Sequence, residues 1–408
     1  MPHVLIVGQK LKALTHYLEA NGYTYTFLQD RVKTRFPDKK FKNRVLADFT
    51  SKRELLATVD TLPRKIDAAI TTYENYVLPT AWITAHLGLP GLPLTAAEAC
   101  TDKYTMRSLF AAAKEKISPA FTEVNDEEDL LQFAKNHSFP LILKPANLAK
   151  SLLVTKSDSL DELLANYRRS VQLLETTYRK YAPNRKPKLI LEEFLEGSIH
   201  SVDAFVDDEG APCILTPIVD YQTGYDIGYE DNFHYSRTLP SRLSEGQQTA
   251  LRHCADIGIR ALGMKNSPAH VEIIMTKDGP RIVEIGARTG GYRERMHKLA
   301  NGIDMTKAIL EIALGEQPDV QPRKEEACAV LELFPKTAGR FMRMTNETKV
   351  KELSSFVSLA IKVQEGSSIG KASEGYKMAA IVILHHKDVS VLRQDMDFIT
   401  NHVLIQTD

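Results

Sequence analysis

The sequence predicts a mixed α/β and α+β architecture in three parts, and three observations carry that prediction. Apolar strands alternate with helices up to about residue 95, the pattern of a parallel sheet in an α/β layer. Two α+β pieces follow up to about residue 315, joined by a basic, proline-punctuated segment. From Ala327 onward short apolar strands dominate. A chain of 408 residues, at ~150 per domain, suits two to three domains with sizeable cores. The expected division is 1–95, 96–315 and 316–408.

Val4–Val7 running into Gly8 reads as a buried strand and turn. A helix from about Leu11 to Ala20 follows, ended by Asn21-Gly22 as a C-cap, and Tyr23–Leu28 alternates as a second strand. Ile66–Thr71 reads as another. The turn after the first strand is Gly8-Gln9-Lys10-Leu11, not the G-x-G-x-x-G of a dinucleotide-binding loop, so a nicotinamide site is excluded as the leading reading. Leu89-Pro90-Gly91-Leu92-Pro93 marks a boundary, after which a single helix is expected over Thr95–Ala113. A strand at Pro140–Lys144 and a helix starting near Ser159 make up the first α+β piece. Arg179–Lys188 reads as a solvated linker, and the second piece runs from Leu189 to about Gly315. Gly315–Arg323 is a polar joint, and Ala329–Leu333 and Ala379–Leu384 are strands of the last part.

Composition narrows the function classes. Fifty-two basic side chains balance fifty-two acidic ones, which argues against a general affinity for nucleic acid or an anionic membrane. Cys100, Cys213, Cys254 and Cys328 contain no C-x-x-C pair, which excludes a zinc ribbon and suits a reducing compartment. The N-terminal apolar run is too short for a signal peptide, and no stretch reaches the ~20 apolar residues of a membrane span. The expectation is a cytoplasmic enzyme with no nucleic-acid or membrane partner, and a homodimer by base rate.

The most informative segment is His270–Arg288. Two alternating apolar runs flank Lys277-Asp278-Gly279, which reads as a three-residue hairpin loop with Thr276 opposite Pro280. In that register Glu272 faces Glu284 on one side of the ribbon. Two facing carboxylates repel unless something positive joins them. A divalent cation such as Mg²⁺ or Mn²⁺ would do so, leaving positions for phosphate oxygens; so would pairing of one glutamate with Arg281, Arg288 or Arg293. Arg288 precedes Gly290-Gly291, where a guanidinium could hold phosphate or carboxylate and the glycines could let backbone approach a ligand; a salt bridge and plain turn is the alternative. Lys144 ends an apolar strand and needs an anion or a path to water, and the loop through Ser151 offers further phosphate contacts. Leu189–Gly197 is an apolar strand entering the acidic hinge Glu192-Glu193.

Taken in order, Lys103, Lys144, Glu192-Glu193, Glu272 and Glu284-Ile285-Gly286-Ala287-Arg288-Thr289-Gly290-Gly291 resemble the ATP-grasp superfamily. The similarity is greater to its carboxylate–amine ligases, including L-amino-acid ligases. That resemblance implies an N-terminal parallel α/β domain, a two-subdomain ATP-grasp core and a β-rich C-terminal lobe. It implies ATP held at Lys103, Lys144 and Ser151, with Glu192, Glu193 and Leu195 at the adenine, and Mg²⁺ or Mn²⁺ on Glu272 and Glu284. Arg288 would be the catalytic cation, and Tyr292, Gly290, Gly291 and the loop from Tyr221 to His234 would border the substrate. The implied reaction joins a carboxylate to an amine, both small molecules and in that branch amino acids, through an acyl phosphate. Three positions depart from the pattern. Asn147–Leu153 lacks glycine where a phosphate-covering loop is glycine-rich; Ile199 stands where a glutamate commonly binds ribose; and Gly286 replaces a third metal ligand found in many relatives. The first two favour the alternative expectation, a nucleotide-binding sensor or partner subunit with weakened turnover.

Overall fold

The computed structural model describes residues 1–9, 12–34, 43–148, 152–182 and 185–408. The expected phosphate contacts at Lys150 and Ser151 lie outside these residues. Strands His3–Gly8, Thr24–Asp30, Arg44–Ala47 and Ala68–Ile70 form a parallel sheet, with the first strand between the second and the fourth. Both faces are covered, which is why Val4–Val7 is apolar without alternation. Val4 and Ile6 pack on Leu14, Leu18 and Ile309, whereas Leu5 and Val7 pack on Leu55 and Val59.

The expected helix over Thr95–Ala113 is two helices, Leu94–Thr101 and Lys103–Ala111. Asp102 between them is extended, and its carboxylate accepts from the Thr105 N–H at 3.0 Å. A side chain that caps a new helix outcompetes continuation of the old one. This break places Lys103 at a helix start, where its own N–H donates to the Ala146 carbonyl at 2.7 Å.

A small antiparallel sheet, Phe121–Val124, Leu189–Glu193, Leu141–Pro145 and Thr155–Ser157, comes next. Its apolar face packs on helices Glu127–Asn136 and Leu160–Tyr181 through Leu130, Phe133 and Leu163. The segment expected as a solvated linker is different in structure. Helix Leu160–Tyr181 absorbs its start, and Arg185 Nη1 donates to the Asn147 carbonyl at 2.7 Å and the Thr101 carbonyl at 3.1 Å. A guanidinium that finds two carbonyls has no need of bulk water.

Among the described residues the central sheet holds nine strands and organises the rest of the molecule. In order it contains Gly279–Gly286, Ser267–Thr276, Ser198–Val206, Val219–Thr223, His234–Leu239, Ala327–Leu333, Ala380–His386 and Phe356–Ile361, with Pro212–Ile214 beside Ser198–Val206. The strand-rich C-terminal region therefore extends the same sheet, through pairing of His234–Leu239 with Ala327–Leu333. One face buries Val202, Ala204, Val271 and Ile273 against Leu251, Ala255 and Ile259 of helix Glu245–Ala261. The other face carries helix Arg293–Asn301, whose Met296 and Ala300 pack on Val219, Cys328 and Val330. Among the described residues no helix is long and apolar enough to cross a membrane.

The hairpin differs from expectation in a way that leaves its consequence intact. Thr276 pairs with Gly279, so the turn has two residues, and an irregularity between Glu272 and Ile273 then shifts the register by one. Glu272 still lies opposite Glu284. A β-bulge at Val283 supplies the residue that the shorter loop lacks.

Candidate active site

Register across the central sheet gathers the polar side chains on one face. Glu284 pairs with Glu272, Glu272 with Ser201, and Tyr221 with Arg237, all side by side on successive strands. The two glutamates have separate counter-charges. Lys103 Nζ lies 2.9 Å from Glu284 Oε2, and His270 Nε2 lies 3.5 Å from Glu272 Oε1. The Lys103 ammonium, ahead of the opposing effect of burial, holds the Glu284 carboxyl below the usual range. Burial works against the charge on Glu272, but His270, His234 and Arg288 together outweigh it and hold its carboxyl low. Both carboxylates are therefore ionised and aimed at one space. The arginine pairings left open by the sequence go elsewhere: Arg288 to Glu74, Arg293 to Asp203, and Arg281 to backbone carbonyls.

Lys144 and Glu192 are deeper. Lys144 Nζ is 2.6 Å from Glu192 Oε2, and Arg107 Nε is 2.9 Å from Glu192 Oε1. Glu192, 3% exposed, thus has a cation on each oxygen. Burial pushes the Lys144 ammonium down to about 8, against the pull of Glu192. Arg107 also donates to the Val283 carbonyl at 2.7 Å, tying the small sheet to the strand that carries Glu284. Glu193 turns outward: its Oε2 accepts from the Ala120 N–H at 2.9 Å. Leu195 follows at the end of this hinge, before strand Ser198–Val206.

Arg288 is held from the N-terminal sheet. Its Nε is 3.0 Å from Glu74 Oε2, on the short 3₁₀ turn Glu74–Tyr76 beyond strand Ala68–Ile70. Gly286 lies close by: a Cβ at that residue would stand 3.1 Å from Glu74 Oε2, which would have to shift by a few tenths of an ångström. The two glycines after Arg288 have different reasons. A Cβ on Gly290 would lie 2.5 Å from the His270 ring, whereas one on Gly291 would meet none of the described residues within 4 Å. Gly290 is thus set by packing, and Gly291 leaves the approach to the site open. Tyr292 follows in the left-handed region at φ 66°. Ile199 faces the same side as Ser201 and Glu272, so an apolar side chain stands at that position.

Beneath the turn lies a buried network with no counterpart in the sequence reading. Asp203 accepts from His270 Nδ1 at 2.8 Å and from the Gly290 N–H at 3.4 Å, and lies 3.2 Å from Arg293 Nε. Arg293 Nη2 donates to Tyr221 Oη at 2.6 Å and Ser201 Oγ at 3.0 Å. Asp and His inside otherwise apolar strands were the available signal, since buried polar residues need a reason. Glu74 could have been sought by topology, because ligand-facing groups gather beyond the carboxyl ends of parallel strands.

Comparison with known proteins shows what the chain around this arrangement is similar to. Residues 137–295 match the family model described as the ATP-grasp domain. Over those residues the chain is similar to ATP-grasp domains. Alanine–anticapsin ligase of Bacillus subtilis is 27% identical over 285 residues, which is 66% of this chain and 60% of that protein. D-alanine–D-alanine ligase of Cupriavidus metallidurans is 23% identical over 253 residues, 58% of this chain and 71% of that protein. The match thus spans less than two thirds of the length of the alanine–anticapsin ligase. In fold, the chain resembles the crystal structure of the L-amino acid ligase from Bacillus licheniformis, with a TM-score of 0.84, 21% identity, and coverage of 100% of this chain and 99% of that one. The matched residues include Lys144, Glu192, Glu272, Glu284 and Arg288, while Lys103 and Glu74 reach them from outside.

Proposed function

We propose that this protein is an ATP-dependent carboxylate–amine ligase that joins amino acids through an acyl phosphate, releasing ADP and phosphate. The observation that carries the reading is the convergence of two ionised carboxylates, Glu272 and Glu284, with Lys103 on one side and Arg288 on the other. Relatives named alanine–anticapsin ligase and D-alanine–D-alanine ligase support the same reaction class.

In this reading Lys103 and Lys144 neutralise the phosphates, Lys103 exchanging Glu284 for the nucleotide. The N–H groups of Glu193 and Phe194 already donate to the Ala120 and Pro140 carbonyls. The hinge therefore offers the adenine its carbonyls and Leu195, while Glu192 acts through Lys144. Two facing carboxylates provide the hard oxygen donors that suit Mg²⁺ or Mn²⁺, and Glu272 and Glu284 would hold it. When bound, that ion supplies neutralisation of charge on the transferring phosphoryl group. The substrate carboxylate attacks the γ-phosphate, and the amine then displaces phosphate from the acyl phosphate. Arg288 faces both the incoming carboxylate and the oxyanion of the tetrahedral intermediate, and Glu74 fixes its direction. Tyr292, Gly290 and Gly291 border the substrate.

Amino-acid-dependent ADP release with ATP and Mg²⁺, measured over a panel of amino acids alone and in pairs, tests the proposal. Release with at least one pair is expected. Nucleotide binding with no release for any pair, unaltered by Glu284→Ala, would establish the alternative of a nucleotide-binding sensor.

A further inference from the structure

The face of the central sheet opposite the glutamates carries a second polar cluster. Strand Ser198–Val206 begins Ser198-Ile199-His200, and period-two alternation puts Ser198 and His200 on the side away from Ile199, Ser201 and Glu272. Asp220, on strand Val219–Thr223, lies directly across from His200. Ser198 Oγ is 2.6 Å from His200 Nε2, and His200 Nδ1 is 2.8 Å from Asp220 Oδ1. The chain enters this register through Gly197 at φ 156°, where a Cβ would stand 2.1 Å from the Met275 carbonyl oxygen. Glycine alone allows that approach.

Hydrogen-bond roles follow from the acid. An ionised carboxylate only accepts, so a neutral His200 ring carries its hydrogen on Nδ1 and leaves the Nε2 lone pair to the Ser198 hydroxyl. Asp220 is held to this task from its other side: Oδ1 also accepts from Ser241 Oγ, and Oδ2 accepts from the Arg242 N–H at 2.7 Å. Exposure is graded in the order a reaction needs. His200 is 3% exposed, whereas Ser198 opens to solvent. The base is thus fixed and shielded, and the nucleophile is accessible. Met275 opposite Ser198 and Leu243 beside Ser241, both half-buried, supply an apolar border.

We infer that Ser198, His200 and Asp220 form a second reactive centre, in which Ser198 takes up the acyl group of small activated carboxylic esters and releases it to water. Geometry assigns the roles, whatever the order along the chain. Ser198 Oγ attacks the ester carbonyl as its proton passes to His200 Nε2. The tetrahedral intermediate collapses by breaking the bond from the acyl carbon to the alcohol oxygen, and His200 returns the proton to the departing alcohol. Water, giving a proton to the same nitrogen, then attacks the acyl-serine ester. This frees the acid, and the proton returns to Ser198 Oγ. Asp220 touches no substrate: it is a positioning residue that fixes the tautomer and faces the imidazolium formed in each half-reaction. A nucleophile at the open surface grips its substrate little, so a good leaving group such as an aryl oxide defines the class. The scheme uses neither nucleotide nor the Glu272–Glu284 pair, and it stands apart from the ligase reading.

The test uses the full chain with no ATP and with EDTA present. A fluorophosphonate probe, whose phosphorus bonds to an activated serine oxygen with loss of fluoride, is read by peptide mass spectrometry. Ester turnover is read with p-nitrophenyl acetate. Labelling is expected at Ser198, and Ser198→Ala is expected to abolish it and to lower ester turnover at least about tenfold. Asp220→Asn keeps the shape but removes the carboxylate that sets the tautomer, and should slow labelling of Ser198 at least about a hundredfold. No labelling of Ser198 in the folded wild type overturns the inference. So does ester turnover by Ser198→Ala within twofold of the wild type, or an equal rate of labelling in Asp220→Asn. Ser198→Ala changes an exposed side chain, and that arm decides the matter if Asp220→Asn does not fold. Neither assay reads ADP release, so failure here leaves the ligase reading standing.

Discussion

Replacing Glu192 by glutamine probes the buried triad that it forms with Lys144 and Arg107. Side-chain exposures are 1% for Arg107, 8% for Lys144 and 4% for Glu192, so neither cation can turn to water. Glutamine keeps the shape and one acceptor but removes the charge that offsets two cations. At pH 7, Lys144, with its pKa near 8, already gives up roughly 3 kcal/mol relative to an unfolded lysine at ~10.4. Shedding its proton entirely caps that cost at about 4–5 kcal/mol, so the lysine accounts for only about 1 kcal/mol of the change. Arg107 has no such escape, and losing its charged partner adds about 2–3 kcal/mol. The total, about 3–4 kcal/mol, falls in the range for breaking a buried ion pair. Hydrogen exchange read by mass spectrometry should show it locally, in peptides covering strands Leu141–Pro145 and Leu189–Glu193. Opening there should be roughly a hundred- to thousandfold more frequent than in the wild type. At pH 9.5 the difference should shrink by about 1 kcal/mol, because Lys144 is then largely neutral in both proteins. Exchange within threefold of the wild type in those peptides at pH 7 would refute the account of Glu192 as the hub of a charged triad.

Three further outcomes are expected. Glu272→Gln and Glu284→Gln should each lower ADP release at least about a hundredfold, with circular dichroism and melting close to the wild type; near-normal turnover in both would remove the metal assignment. Lys144 links ATP affinity to pH: the KM for ATP should rise as pH increases through about 8, where the ammonium is lost. Stability should move the other way, since between pH 8 and ~10.4 the unfolded chain binds the extra proton and rising pH favours the fold. Lys144→Met should abolish both trends, and a KM for ATP independent of pH in the wild type would exclude that lysine from phosphate contact. Gly290→Ala forces a methyl to 2.5 Å from the His270 ring and should destabilise by about 1–3 kcal/mol. Gly291→Ala meets open space and should leave the melting temperature unchanged while altering turnover; equal destabilisation by the two would contradict the packing described.

The hairpin shows how much of the site could be read from the chain. Alternation in His270–Thr276 and Gly279–Gly286 determines which residues share a face, and the identity of the glutamates determines that a cation or a base must lie nearby. Loop length and bulge are decided by turn geometry, which local sequence specifies weakly, yet their two departures cancel and the Glu272–Glu284 pair survives. The helix break at Asp102 was also within reach, since a carboxylate three residues before Thr105 is a cap signal. The partners of Glu74, Asp203 and Glu332 were not. Each acts on a partner far away in sequence: Glu74 on Arg288, Asp203 on His270 and Arg293, and Glu332 on Arg237 and Tyr292.

By itself the sequence determined the order of elements, the parallel N-terminal sheet, and the residue types able to handle phosphate, metal and carboxylate. Those properties follow from local periodicity and side-chain chemistry, which the neighbouring few residues fix. The tertiary structure alone decided which charge faces which. Lys144 is masked by Glu192 rather than open to water, Arg288 is held by a carboxylate that follows the N-terminal sheet, and Arg237 is paired with Glu332 of a C-terminal strand. Charge pairing in a buried site depends on distances of about 3 Å between groups brought together only by sheet register and lobe packing. No local pattern encodes those distances.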